Sequence, residues 1–247
     1  MDIRNLNKKF GSFSVIDKIS LLFPNSGIHS IIGPNGAGKS TLLNLIYGDL
    51  KADDGKILYN DIDLLKKEKY QRISLGIGRT YQTPMLITEN SVIDNCLIAD
   101  LGSKKNNFFS LFSKKKIVDK VYKKINATLT SLNIAHKKDF LIDELTHGEK
   151  KLLEIAMLLI SDCNVLLLDE PLAGVDKIES DFIVNIICEL SKSKLILLVE
   201  HDLEVVLNIS NSVSVMNNGQ LIISSDPKSV KNNTLVNQIY FDKSNEK

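Results

Sequence analysis

Residues 33–41 read Gly-Pro-Asn-Gly-Ala-Gly-Lys-Ser-Thr, and this stretch decides the fold. It contains the phosphate-binding loop pattern G-x-x-x-x-G-K-[ST]. Because Gly36 and Gly38 can adopt backbone angles that other residues resist, successive N–H groups can point at one anion. A helix that begins near Lys39 would add the positive end of its dipole. The pattern therefore predicts that Lys39 binds the β- and γ-phosphates of a nucleotide and that the Ser40 hydroxyl is a Mg²⁺ ligand.

Three short apolar runs predict parallel strands that are buried on both faces. They cover residues 28–32, 165–168 and 195–199. The residues that follow these runs are, in turn, Gly33, Asp169 with Glu170, and Glu200 with His201. In open α/β sheets ligands bind at the carboxyl edge, so we expect these strand ends to form one site.

The composition is that of an ordinary globular protein. The chain has 247 residues, of which 43% are hydrophobic and 25% charged, enough for one sizeable α/β domain or two small ones. A net charge of +1 gives no argument for nucleic acid or an anionic membrane as a partner. Cys96, Cys163 and Cys188 form no metal or disulfide pattern, which suits a reducing cytoplasm. No signal-peptide region and no apolar run of ~20 residues is evident, so a role at a membrane would require a partner.

The pattern along the chain predicts one domain over residues 1–247 with three parts. These are a nucleotide-binding core over about 1–84 and 161–230, a helical region over about 85–160, and a C-terminal tail over 231–247. The core also holds shorter β-like segments at residues 14–23 and 56–60.

Two further segments follow the core strands or interrupt the helical region. Residues 212–225 predict a hairpin across Asn217-Asn218-Gly219, followed by one short helix from Pro227 to about Tyr240. Residues 103–124 mix eight lysines with three phenylalanines. Charge runs are usually solvated, which favours a loop leading into a helix. The alternative is a surface that contacts a membrane or a membrane-bound partner.

Asp169 and Glu170 end the second apolar run and supply the carboxylates of the predicted site. Asp169 is placed to bind Mg²⁺, which prefers oxygen ligands and keeps several waters. Glu170, one residue on, could accept the proton of an attacking water as a general base. The alternative is an acidic helix N-terminus, where carboxylates are stabilising without any catalytic role.

His201 and Gln82 are the remaining candidates from the residues themselves. At a sheet edge shared with a phosphate site, His201 can hydrogen-bond the γ-phosphate, although a lone histidine is more often structural. Gln82 lies where the core passes into the helical region, and its amide could bind Mg²⁺ or orient water while its backbone transmits movement.

Taken in order, these motifs resemble the ATPase subunit of ABC transporters over essentially the whole chain. The resemblance includes Leu145-Thr146-His147-Gly148-Glu149 before an amphipathic helix and Ala173-Gly174-Val175-Asp176 after the acidic pair. It implies an α/β P-loop NTPase with a RecA-like parallel-sheet core, an antiparallel β subdomain and a helical subdomain. It also implies ATP hydrolysis with Mg²⁺.

The resemblance assigns a role to each matching position. The ATP-binding residues would be Phe10 against adenine, then Gly33, Pro34, Asn35, Gly36, Ala37, Gly38, Lys39, Ser40 and Thr41 around the phosphates. Glu170, His201 and Gln82 would be catalytic, and Ser40, Gln82 and Asp169 would hold the metal. Leu145, Thr146, His147, Gly148 and Glu149 would form the signature that completes the site of the opposite subunit, and Asp176 would join the two sites. Two signature positions depart from the usual Leu-Ser-Gly-Gly-Gln: His147 replaces Gly, and Glu149 replaces Gln and places a carboxylate near where ATP should sit.

Within the family, the sequence around Thr146 and the segment 76–82 is similar to the ATPases of branched-chain amino acid and urea or amide uptake, most of all to those for urea. The expected partners are permease subunits that dock on residues 83–99, a second identical or related ATPase and, indirectly, a solute-binding protein, but no nucleic acid. The expected place is the cytoplasmic face of the membrane. Two alternatives stay open: an ATPase for lipopolysaccharide export, and a soluble ABC ATPase that acts on nucleic acid or repair complexes.

Overall fold

The computed structural model describes residues 1–103 and 114–241. Its strands are β1 (Asp2–Phe10), β2 (Phe13–Leu22), β3 (Gly27–Ile32), β4 (Asp54–Tyr59), β5 (Ile62–Asp63), β6 (Ile77–Arg79), β7 (Val165–Asp169), β8 (Leu195–Val199), β9 (Ser212–Asn217) and β10 (Gln220–Ser225). Its α-helices are α1 (Lys39–Tyr47), α2 (Lys69–Ser74), α3 (Val92–Ser103), α4 (Lys114–Ser131), α5 (His147–Ile160), α6 (Lys177–Ser191), α7 (Leu203–Ile209), α8 (Pro227–Lys231) and α9 (Thr234–Phe241).

A six-stranded sheet in the order β10-β9-β3-β8-β7-β6 positions the site. Strands β9, β3, β8, β7 and β6 are parallel, and β10 pairs antiparallel with β9. Strands β7 and β8 are buried at every position, which explains why their sequences are apolar without alternation. The three predicted parallel strands are confirmed. In the pairing register both Ile31 and Asp169 stand opposite Val199, so the strand ends that carry the motifs meet at one level of one edge.

A second sheet, in the order β2-β1-β4-β5, is antiparallel. Its strands β2 and β4 match the predicted segments, whereas β1 was not predicted. Only Ile3 and Leu6 of β1 are buried, and the register shifts between them. Because a bulge breaks the alternation of two, the polar sequence of β1 lacks the usual strand signal.

Between residues 92 and 160, the described part of the chain contains helices α3, α4 and α5 and none of the named strands. Helices α3, α4 and α5 share one apolar core. Its buried members include Val92, Cys96, Ile125, Leu129, Leu153 and Ala156. The same cluster contains Leu166 and Leu168 of β7, so α5 rests directly on the central sheet.

The C-terminal prediction was half right. The hairpin is confirmed, since Asn217 pairs with Gln220 and both turn residues, Asn218 and Gly219, have positive φ. The single helix after Pro227 was wrong, because the chain forms α8 and then α9. The Asn233 side chain accepts hydrogen bonds from the backbone N–H groups of Leu235 and Val236, and so starts a new helix.

Residues 104–113 lie outside the described residues, and with them the phenylalanines of the lysine-rich stretch. Within the described ranges, none of the helices combines the length and the apolar character that a membrane crossing requires.

Candidate nucleotide-binding site

The phosphate loop leaves β3 and enters α1 through two glycines with positive φ. Gly36 has φ +79° and Gly38 has φ +100°. A Cβ on Gly38 would lie 2.6 Å from the carbonyl oxygen of Val15, so a side chain there would collide with the backbone of β2. Gly38 is also the N-cap of α1 and offers no capping side chain, which leaves the first-turn N–H groups to an anion.

The turn of the β9–β10 hairpin supports this loop from outside. The Gly219 N–H donates to the carbonyl oxygen of Ala37 (3.2 Å), and the Asp17 N–H donates to the carbonyl oxygen of Gly219 (2.8 Å). A Cβ on Gly219 would lie 2.7 Å from the carbonyl oxygen of Val15. The conformation of the phosphate loop therefore depends on Gly219, which lies about 180 positions later in the chain. No local sequence pattern near the loop indicates this contact.

Lys39 is buried inside the loop that it serves. Its ammonium donates to the carbonyl oxygens of Gly33 (2.8 Å) and Pro34 (3.1 Å). Burial lowers the pKa of Lys39, and the nearby carboxylates of Glu170 and Asp169 oppose that shift. A cation held among carbonyls, facing the concave side of the loop, suits the charge of a bound polyphosphate.

Ser40 and Asp169 bring two oxygen ligands together from α1 and β7. The Ser40 hydroxyl donates to Asp169 Oδ1 at 3.4 Å. The other oxygen, Oδ2, accepts from the buried guanidinium of Arg79 at 2.8 Å. A hydroxyl facing a carboxylate beside a phosphate loop is the donor set that Mg²⁺ prefers, so these residues fit that ion.

Glu170 stands directly after β7 in a left-handed conformation with φ +51°. Its N–H donates to the carbonyl oxygen of Val199 (2.9 Å), which fixes the backbone against β8. One carboxylate oxygen lies 2.7 Å from Nε2 of His201, and the other accepts from the side-chain amide of Gln82 at 2.9 Å. The structure thus joins three residues that the sequence predicted separately.

Glu200, for which the sequence predicts no specific role, orders the turn beneath this group. Its buried carboxylate accepts from the N–H groups of Leu172 (2.8 Å) and His201 (3.1 Å). Burial raises the pKa of Glu200, and these two hydrogen bonds oppose the shift. Its position at the end of an apolar strand was the only available signal.

These groups line one cleft of about 420 Å³. The lining residues are Val15, Asn35, Gly36, Ala37, Gly38, Lys39, Ser40, Thr41, Gln82, Glu170 and His201. Phe10 does not belong to this lining. It sits beside the β1–β2 turn with 51% of its surface exposed, and the ammonium of Lys8 lies 5.5 Å from its ring centroid.

The predicted signature lies outside the cleft, at the start of α5. The Thr146 hydroxyl donates to a carboxylate oxygen of Glu179 in α6 (2.8 Å) and accepts from the Glu149 N–H (3.1 Å). A Cβ on Gly148 would lie 2.4 Å from the same Glu179 carboxylate, so the glycine permits this close approach. Leu145 is buried just before the helix.

The Glu149 carboxylate is engaged within its own chain. It accepts from the Thr146 N–H (2.8 Å), which completes a capping box, and lies 3.6 Å from the ammonium of Lys137. The neighbouring His147 lies against Gly174, whose Cβ position is 3.3 Å from the imidazole. Asp176 caps α6 by accepting from the Glu179 N–H at 2.9 Å.

Comparison with known proteins agrees with this geometry. The family model of the ABC transporter matches residues 16–173. The chain is 37% identical to a probable branched-chain amino acid transport ATP-binding protein LivG from Methanocaldococcus jannaschii, over 92% of this chain and 94% of that protein. It is 30% identical to the lipopolysaccharide export system ATP-binding protein LptB from Haemophilus influenzae, over 96% of this chain and 94% of that protein.

A solved crystal structure shares the fold of this chain. The crystal structure of an ABC transporter's ATP-binding cassette in its ADP conformation has 36% sequence identity and a TM-score of 0.85, and the match covers 97% of this chain and 98% of that chain. This similarity confirms the predicted α/β fold. The chain therefore belongs to the ABC transporter family, as a subunit that binds and hydrolyses ATP.

Proposed function

We propose that this ATPase drives an importer of branched-chain amino acids, with Glu170 as the general base. The observation that carries the catalytic part is the Glu170 carboxylate, held between His201 and Gln82 in the cleft of the phosphate loop. The solute is suggested by the 37% identical relative, which is named as a probable branched-chain amino acid transport ATP-binding protein. The resemblance at the signature favours urea, but neither relative reported above is named for urea transport, so the experiment includes both solutes.

In this mechanism, Glu170 takes a proton from a water molecule whose oxygen attacks the γ-phosphorus of ATP. The bond between the γ-phosphorus and the bridging oxygen breaks, and ADP carries away the negative charge. Lys39 stabilises that charge from inside the loop, and Ser40 and Asp169 are the residues that would hold Mg²⁺. When bound, Mg²⁺ neutralises charge on the phosphate oxygens. His201 and Gln82 keep the Glu170 carboxylate in place for the attack.

The signature at residues 145–149 would act on a second ATPase chain, either identical or related. It does not line the cleft of its own chain, while Thr146 and His147 form an exposed surface at the start of α5. Two chains facing head to tail would let this surface complete the opposite site. We divide each chain into a core over about 1–84 and 161–230, a helical region over about 85–160 and a tail over 231–247.

A permease would dock on the segment 83–99, at the cytoplasmic face of the membrane. A cavity of about 240 Å³ lies beside this segment, lined by Tyr81, Met85, Ala99 and Met157 among others. The Met85 side chain is well exposed, and methionine adapts to varied apolar partners. A solute-binding protein would act through the permease rather than on this chain.

The test is uptake of labelled leucine and labelled urea by native cells that lack this chain. Wild type should restore leucine uptake, and Glu170→Gln should not, although both proteins reach equal levels. Restored urea uptake with unchanged leucine uptake would overturn the proposed solute and keep the importer.

A second candidate is lipopolysaccharide export, because LptB from Haemophilus influenzae is 30% identical over almost the whole chain. If neither uptake depends on Glu170 but lipopolysaccharide accumulates in the inner membrane of the deletion strain, the export function replaces the importer.

A further inference from the structure

Helix α5 carries two buried charged residues, Lys151 and Glu154, that the mechanism above does not use. Lys151 is 1% exposed and Glu154 is 7% exposed. They stand three positions apart on the helix, so both side chains leave the same face. That face is turned towards the segment that follows β6 and contains Gln82.

Lys151 holds the backbone at Gln82. Its ammonium donates to two successive carbonyl oxygens, those of Tyr81 (3.1 Å) and Gln82 (2.8 Å). Glu154 holds the far end of the same segment, since its Oε1 accepts from the Met85 N–H at 3.3 Å. The segment 81–85 is therefore fastened at both ends to one helix.

Gln82 connects this fastened segment to the Glu170 carboxylate. The carbonyl that Lys151 grips belongs to Gln82, whose side-chain amide donates to Glu170 at 2.9 Å. Helix α5 begins at the capping box of Thr146 and Glu149, within the signature. One rigid helix of 14 residues thus connects the signature to the backbone that aims Gln82.

Stability alone gives a weak reason for a lysine in this place. Taking an ammonium out of water costs free energy, and burial lowers the pKa of Lys151. Replacing buried charges by well-packed apolar residues of similar volume is often neutral or stabilising. What an apolar side chain cannot do is grip two carbonyl oxygens and fix their orientation.

We infer that Lys151 is a positioning residue for ATP hydrolysis, which holds the Gln82 backbone so that the Gln82 amide orients Glu170 and couples that contact to the signature helix. The inference rests on the roles proposed above for Gln82 and Glu170. It assigns Lys151 no contact with ATP and no proton transfer. Its effect on hydrolysis passes through Gln82.

A double-mutant cycle on the full-length chain tests this route. The variants are Lys151→Met, Gln82→Ala and the double substitution, with kcat and KM for ATP measured for each. Lys151→Met should lower kcat by roughly 10- to 100-fold, because small misplacements of catalytic groups have effects of that size, and should leave KM within about threefold. In the Gln82→Ala background the same substitution should change kcat by less than about twofold, since its target is already gone.

The controls separate positioning from folding. Lys194 also donates to a backbone carbonyl, that of Cys163 at 2.6 Å, but at the opposite edge of the sheet, so Lys194→Met should keep wild-type kcat. Lys151→Arg can still donate to both carbonyls and should recover most of the activity. If Lys151→Met does not fold, Lys151→Gln replaces it, because its amide is too short to reach both oxygens.

The possible results distinguish the inference from the function beneath it. A Lys151→Met variant with wild-type kcat, or one whose effect is undiminished in the Gln82→Ala background, overturns the role of Lys151. A Gln82→Ala variant with wild-type kcat instead overturns the proposed role of Gln82, and with it the basis of the inference.

Discussion

At the scale of residues, Asp169 links the proposed metal site to the buried interior. One of its oxygens faces Ser40, and the other accepts from Arg79, which also contacts Asn44 of α1 and stacks on the Tyr81 ring. From the sequence, Arg79 was recognisable only as a member of the segment 76–82, and no role was predicted for it. Its contacts come from α1, β7 and the loop after β6, which meet only in the folded chain.

Removing this guanidinium should be costly. Arg79→Met leaves the carboxylate of Asp169, itself 4% exposed, without its ion-pair partner, and breaking one side of a buried pair typically costs about 3–5 kcal/mol. Urea unfolding measures the loss. Arg4→Met, which removes an exposed ion pair with Asp2, should leave the free energy of unfolding nearly unchanged. A similar small cost for both variants would contradict the structural role given to Arg79.

The phosphate loop gives a second prediction at this scale. Lys39→Met removes the cation that faces the phosphates, so ATP affinity should fall by at least about 10-fold, in line with charge-assisted hydrogen bonds of ~1.5–3 kcal/mol. Fluorescent ATP titration gives the affinity, with the exposed Lys56→Met as the matched control. Equal affinity in both variants would refute the reading of residues 33–41.

At the scale of elements, predictability follows burial. Strands β3, β7 and β8 were predictable because both of their faces are covered, which leaves an apolar run in the sequence. Strand β1 was not predictable, because its bulges and its polar face hide the alternation of apolar residues. Strand β6 was not predictable either, because three residues are too few to show a pattern. The break between α8 and α9 depends on one asparagine that can serve as an N-cap or a helix residue.

The same distinction applies to the site. Some site residues could be found from the sequence because they come directly after apolar strands. They are the phosphate loop, Glu170 and His201. Lys151 and Gly219 could not, because each acts through a hydrogen bond to a distant segment. Contacts of that kind leave no periodic signal in one sequence.

Glu154 gives helix α5 a pH-dependent contribution to stability. Burial raises the pKa of its carboxyl to about 7, from an ordinary value of 4.5, while Lys151 and the Met85 N–H oppose the shift. Between these values the folded chain holds a proton that the unfolded chain has lost, so stability falls as pH rises through this window. Glu154→Gln is neutral throughout, so relative to wild type its free energy of unfolding should gain up to roughly 3 kcal/mol between about pH 4 and pH 8.

Urea unfolding of both proteins across this pH range provides the measurement. The exposed Glu204→Gln in α7 serves as the control and should run parallel to wild type. If Glu154→Gln also runs parallel, Glu154 titrates normally in the folded chain.

At the scale of the whole molecule, the separation of the signature from the cleft predicts that one chain is an incomplete enzyme. Glu170→Gln should bind ATP without rapid turnover, so ATP should hold two chains together. Light scattering should then show the mass of two chains in ATP and one in ADP, either for this chain alone or when mixed with its related ATPase. A single chain in every mixture would contradict the head-to-tail arrangement.

The most direct test of the central claim is single-turnover ATP hydrolysis by the full-length Glu170→Gln variant. Loss of a general base typically lowers a rate by about 10²- to 10⁴-fold. We predict a fall of that size with ATP affinity within about threefold of wild type, and no fall for Glu204→Gln. Hydrolysis by Glu170→Gln at the wild-type rate would show that the carboxylate held by Gln82 and His201 is not the base.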